Sequence, residues 1–184
     1  MQAQPKPQHN QIVTLTKVLK TALILRGIPG AGKSTLARQR AVACGLAVED
    51  CVFNTDGLFD ELNHGVFAPG LLSHFHQLNL TRFIQAAARS VPLIVCDNTN
   101  TVHWEYIAYE AAARALGYRV EVCVVGDLGD PAQVEQCVTR HVRGVPADRV
   151  REMAQRLVQS LAQEKAASSS LAQQGSQVQP ASAA

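Results

Sequence analysis

The chain has 184 residues, 47% of them hydrophobic and 17% charged, with a formal net charge of +2. This suits one packed domain, and no apolar run reaches the roughly 18 residues that span a bilayer. The first residues lack the apolar core of a secretory signal, and the five cysteines contain no CxxC pair, which argues against a zinc site or a disulfide framework.

In chain order, residues 1–20 open with Gln, Pro and Lys and are expected to be poorly ordered. Thr21 to Arg26 (TALILR) reads as a buried strand, followed by a Gly-rich turn and a helix from Lys33 to about Cys44. Cys51 to Asn54 is a second short strand. Pro69 to Arg89 is a long helix with Leu71, Leu72, Phe75, Leu78 and Ile84 at its apolar positions. Pro92 to Cys96 (PLIVC) is a third strand. Val102 to Leu116 is a helix that stops at Gly117, a residue free to take the left-handed cap. Arg119 to Val125 is a fourth strand. Asp130 and Pro131 supply an N-cap and a first helical position, and that helix runs to about His141. A last helix is expected from near Pro146 to near Leu161. Residues 163–184 are Ala, Ser and Gln with almost no large apolar side chain, so a disordered tail is expected, available as an arm for a protein partner. The folded body is then 21–162. Apolar strands alternating with helices predict an α/β fold with a parallel sheet covered on both faces.

The charge is unevenly spread. Residues 1–48 carry seven Lys or Arg and no Asp or Glu, whereas residues 49–130 carry four against eleven. Within the basic stretch, Gly27-Ile28-Pro29-Gly30-Ala31-Gly32-Lys33-Ser34 fits G-x-x-x-x-G-K-[ST], the phosphate loop. Glycines let the backbone approach a phosphate, and the loop amides and the following helix N-terminus face the anion. Lys33 reaches the β- and γ-phosphates and the Ser34 hydroxyl is suited to Mg²⁺. Lys33 is the only lysine between residues 21 and 164. The chain is therefore read as an ATP·Mg²⁺ site. The free cysteines fit buried, reduced thiols in a reducing, cytoplasmic setting.

Asp97 ends the third strand, on the edge where ligands sit in open α/β sheets. It is read as a Mg²⁺ group of Walker-B type or, alternatively, as the opening of the turn Asp97-Asn98-Thr99-Asn100, whose asparagines shape the turn. Asp56, after the second strand, is either a base for an attacking hydroxyl or a turn or helix cap. Five arginines lie between 140 and 156. Those around Arg140-His141-Val142-Arg143-Gly144-Val145-Pro146 form either a lid over phosphates or a solvated basic face. His76, Asn79 and Arg82 share one helical face, toward an acceptor or toward solvent. Trp104 and Tyr106 read as packing residues rather than a base-stacking platform.

The blocks L-R-G-I-P-G-A-G-K-S-T-L-A-R, N-T-D-G, L-I-V-C-D-N-T-N and R-H-V-R-G-V-P, in this order over about 23–146, resemble the polynucleotide-kinase-like P-loop ATP-binding family. The resemblance implies a three-layer P-loop NTPase with a short parallel sheet of order 2-3-1-4 and a helical lid. It implies that Gly30, Gly32, Lys33, Ser34 and Thr35 bind ATP, that Asp56 is the general base, that Asp97 organises metal or water, and that Arg140 and Arg143 face the phosphates. The acceptor is then a nucleic-acid 5′-hydroxyl or a small molecule. Phage-type kinases of this kind carry an arginine three residues after the base, where this chain has Phe59. The kinase-like module is expected on its own, without a fused phosphatase, ligase or phosphodiesterase. A nucleotide-binding adaptor with little turnover is the remaining alternative.

Overall fold

The computed structural model describes residues 19–175, with side chains to residue 170. The expected order of residues 1–18 and 176–184 lies outside the described residues. Four strands, β1 (Thr21–Arg26), β2 (Val52–Phe53), β3 (Leu93–Asp97) and β4 (Arg119–Val124), form one sheet of order β2-β3-β1-β4. Every pairing is parallel, as crossover connections through helices require.

Alternation along the strands sorts the core into two faces. Leu23, Leu25, Leu93 and Val95 point to α1 (Lys33–Ala43) through Ala37. Ala22, Ile24, Ile94 and Cys96 point the other way, against Phe83, Ala86 and Ala87 of α4 (Leu72–Ala88) and Tyr109 and Ala113 of α5 (Ile107–Ala115). A third cluster sits over the phosphate loop. There Ile28 packs against Val134 and Cys137 of α6 (Pro131–Arg140) and Val150, Ala154 and Leu157 of α7 (Ala147–Gly175). This α6–α7 hairpin is the helical lid.

Several expectations need correction. Two short helices, α2 (Val48–Cys51) and α3 (Thr55–Leu62), flank β2. The latter starts because Asn54 caps it, its side chain accepting the Gly57 amide. The helix expected over Val102 to Leu116 is broken by a 3₁₀ turn at His103–Glu105. There the Glu105 carboxylate folds back onto the Thr101 amide at 2.6 Å and the Thr101 hydroxyl at 3.2 Å. The last helix does not end near Leu161; α7 continues to Gly175, so residues 163–175 of the expected disordered tail are helical. Ala, Gln, Glu and Lys are strong helix formers, and Glu164 is anchored on Arg26 at 2.8 Å. All five cysteines are free, but Cys44, expected buried, is exposed at the end of α1. Among the described residues no helix is long and apolar enough to cross a membrane.

Candidate functional site

β1 runs directly into the Gly-rich loop, and α1 begins at Lys33 with Gly32 as its N-cap at φ 96°. That dihedral suits glycine. Gly30, at φ 79°, lies so close to α6 that a Cβ there would overlap the Cys137 carbonyl. The loop is thus built against the lid. Ile28 and Ala31 join the lid's apolar cluster, and the Gly27 amide donates to the Thr99 carbonyl at 2.8 Å. Pro29 is half-buried, while Ser34 and Thr35 are exposed at the start of α1.

Lys33 is buried, and its Nζ donates to the Ile28 carbonyl at 3.1 Å. Burial lowers its pKa, opposed by the charges of Asp97 and Asp56. Asp97 ends β3 beside β1, in register with Leu25. Among the described residues, both its carboxylate oxygens are buried and have no hydrogen-bond partner. Burial raises the Asp97 pKa, with the Ser34 hydroxyl and the Lys33 charge pulling the other way. An Asp that merely capped a turn would bond its own backbone; this one makes no hydrogen bond to the backbone, and the Ser34 hydroxyl is the polar side chain beside it. A buried carboxylate left unsatisfied costs free energy, and the Ser34 hydroxyl and the Lys33 charge are the groups that offset its burial. The donor set, a carboxylate and a hydroxyl beside a phosphate loop, fits Mg²⁺.

Asp56 lies in the first turn of α3, exposed. Asn54 performs the capping, so the Asp56 carboxylate is not the cap. Two bonds fix this turn. The Thr55 amide donates to Asn98 Oδ1 at 3.0 Å, and Thr55 Oγ1 lies 3.1 Å from His76 Nδ1. Burial lowers the His76 pKa, with the Glu105 and Asp56 charges opposing. Asn79 is fully buried and donates to the Tyr109 hydroxyl at 2.9 Å. The His76/Asn79/Arg82 face is therefore not a solvent stripe throughout: Asn79 points inward, whereas His76 is exposed beside Thr55 and Arg82 reaches out to Glu61 at 2.6 Å. Phe59 is core, packed edge-on against Phe75 at 4.6 Å between centroids. Tyr106 is buried, as expected of a packing residue, whereas Trp104 is exposed.

The two lid arginines part company. Arg140, in the last turn of α6, donates to Gln136 at 2.9 Å; burial raises the pKa of the nearby Cys137 thiol, with the Arg140 and Lys33 charges opposing. Arg143 pairs with Asp60 of α3 through two bonds of 2.6 Å. The loop between them is braced by His141, whose ring nitrogens lie 2.7 Å from the Val138 and Val145 carbonyls.

Sequence reasoning missed Arg26. It is fully buried at the end of β1 and donates to the Asn100 and Thr101 carbonyls, to Ser160 Oγ and to Glu164. Its guanidinium also lies 5.1 Å over the Tyr106 ring. The signal was present: an arginine closing an apolar strand beside the phosphate loop needs buried acceptors. Asn100, at φ 47°, does more than shape a turn, since its Nδ2 donates to the Leu25 carbonyl at 2.7 Å.

The parallel sheet of order 2-3-1-4, the Gly-rich loop and the lid define a P-loop nucleotide-binding protein of kinase-like fold. The chain belongs to the AAA domain family, which matches residues 23–163. It is 28% identical over 155 residues to human (Homo sapiens) NEDD4-binding protein 2, covering 83% of this chain and 8% of that protein. It is also similar to a chain in a solved structure of the Pnkp1/Rnl/Hen1 RNA repair complex, with a TM-score of 0.62 and 18% identity. That match covers 82% of this chain and 48% of that one. The chain thus spans less than half the length of each of these relatives.

Proposed function

We propose that the protein is an ATP·Mg²⁺-dependent phosphotransferase that moves the γ-phosphoryl group to a hydroxyl, with a nucleic-acid 5′-hydroxyl as the first acceptor to test. The observation that carries this is the buried, unpartnered Asp97 carboxylate beside Ser34 and Lys33 at the phosphate loop. The loop amides and Lys33 hold the triphosphate. Ser34 and Asp97 are the residues that would hold Mg²⁺, which when bound would supply charge neutralisation for the transferred phosphoryl group. The acceptor oxygen attacks Pγ as its proton passes to the Asp56 carboxylate. The bond from Pγ to the β,γ-bridging oxygen breaks, and ADP leaves. Arg140 donates to the transferring phosphoryl oxygens, a contact worth about 10³-fold or more in rate. The lid cluster around Ile28 and Val150 keeps water from the phosphates.

The fold shared with a chain of an RNA repair complex supports testing 5′-hydroxyl oligonucleotides first. A small-molecule acceptor is the second reading. It is favoured by α3, which carries Asp56, Asp60 and Glu61 and no Lys or Arg, and by the burial of Phe59. Labelled ATP offered with 5′-hydroxyl oligonucleotides, nucleosides and sugars separates the two. Asp56→Asn abolishes transfer while ATP·Mg²⁺ still binds. Normal transfer by that variant means Asp56 is not the base.

A further inference from the structure

We infer that the two lid arginines serve different substrates: Arg140 the nucleotide, and Arg143 the acceptor, with Asp60 as the positioning residue that holds Arg143 there. This rests on the phosphotransferase reading above and divides its lid. The sequence pattern groups the two arginines, three residues apart, on the phosphates; their surroundings do not match. Arg140 ends the helix whose Cys137 carbonyl abuts Gly30. That end of α6 belongs to the phosphate loop. Arg143 crosses to α3, where both terminal nitrogens grip Asp60.

Asp60 stands four residues after Asp56, one helical turn on, so the two carboxylates share a face. The Arg143 guanidinium feels both, Asp60 first and Asp56 after it. The grip is planar and bidentate, the geometry that fixes an arginine's orientation most firmly. It uses one N–H of each terminal nitrogen and leaves Nε–H and two outer N–H groups. Those donors, at the α3 face that Asp56 and Asp60 share, are suited to an oxygen of the acceptor. The loop that delivers Arg143 is itself braced. His141 spans from the Val138 to the Val145 carbonyl, and Gly144 turns at φ 67°. Arg143 therefore arrives at α3 on a prebuilt hairpin. The exposed pair adds little to stability; its value is in placement.

The test uses the full chain with Arg140→Ala, Arg143→Ala, Asp60→Asn and the charge swap Asp60→Arg/Arg143→Asp. ATP·Mg²⁺ affinity is read by calorimetry. The KM for a 5′-hydroxyl oligonucleotide is read from labelled transfer, and its binding to an Asp56→Asn background from anisotropy. Arg140→Ala weakens ATP·Mg²⁺ by about tenfold, a charged hydrogen bond's worth. Arg143→Ala and Asp60→Asn leave it within about twofold and raise the oligonucleotide KM and dissociation constant by about tenfold. The swap restores the ion pair but not the acceptor KM, because the cation then sits on the wrong element. The inference is overturned if Arg143→Ala weakens ATP·Mg²⁺ as Arg140→Ala does. It is overturned equally if Arg143→Ala leaves oligonucleotide binding unchanged, or if the swap restores KM, since the pair is then only structural. A wild-type chain that binds ATP·Mg²⁺ yet phosphorylates no hydroxyl probe sinks the phosphotransferase reading instead, and the ATP-affinity and anisotropy results still decide the division of the arginines.

Discussion

Arg26→Ala probes the joint on which the phosphate loop, the Asp97 turn and α7 all converge. The guanidinium is 1% exposed and has four hydrogen-bond partners. Its removal leaves the Asn100 and Thr101 carbonyls and the Glu164 carboxylate without it and opens a cavity against Tyr106. Breaking a buried pair by deleting one partner costs about 3–5 kcal/mol. For a domain of this size that lowers Tm by about 10 °C. Glu164 is 39% exposed, so water replaces part of what it loses. Glu164→Gln, which leaves Arg26 its other three partners, costs about 1–2 kcal/mol. A chain truncated after Gln163 loses a similar amount, because it removes the same carboxylate. Urea unfolding of the four proteins measures all of this. An Arg26→Ala loss below about 1 kcal/mol, the level of an exposed arginine, refutes the reasoning, as does a truncated chain as stable as the full one.

Three further outcomes follow from the site. Gly30→Ala meets both a left-handed backbone and the Cys137 carbonyl, whereas Gly45→Ala meets only the backbone, its Cβ pointing into open space. Thermal unfolding therefore shows a larger loss for Gly30→Ala, by about 1–3 kcal/mol, and calorimetry shows weakened ATP·Mg²⁺ binding for that variant alone. The raised pKa of Asp97 sets a pH signature. Its folded form holds a proton more tightly than the unfolded chain, whose value is near 3.8. In the metal-free protein Asp97 thus opposes folding above its folded pKa, and this opposition fades as pH falls through that value. Mg²⁺ affinity moves oppositely, falling with pH over the same window because the carboxylate must be ionised. Comparing wild type with Asp97→Asn isolates both trends from the other carboxylates. An Asn variant with wild-type pH dependence of Mg²⁺ binding contradicts the assignment. Thr55→Val, which leaves His76 Nδ1 without its hydroxyl partner, slows transfer with ATP affinity unchanged, a split read by steady-state kinetics.

The parallel sheet was legible because β1, β3 and β4 are short apolar runs separated by helix-length segments, its strand order only through the family resemblance, and the phosphate loop because its residues are contiguous. What the sequence hid lies in long-range pairing and in local competition. α3 was concealed by Gly57, a poor helix residue, in a stretch that reads equally as an Asp-Gly turn; the Asn54 cap decides it. The continuation of α7 was concealed by a composition without large apolar residues. It docks through Glu164 onto an arginine 138 positions away. Arg143 and Asp60, 83 positions apart, meet for the same reason only in three dimensions. Asp97 stood out by its place at a strand end, but the lack of any partner for its oxygens is a property of the folded interior.

Calorimetric titration of ATP·Mg²⁺ into the wild-type chain and into Lys33→Ala tests the nucleotide site on which everything else depends. One nucleotide binds per wild-type chain, in a Mg²⁺-dependent manner, and the variant loses affinity by about 100-fold or more, the scale of a desolvated charge contact. Equal affinity in the two proteins, or no binding to either, contradicts the account.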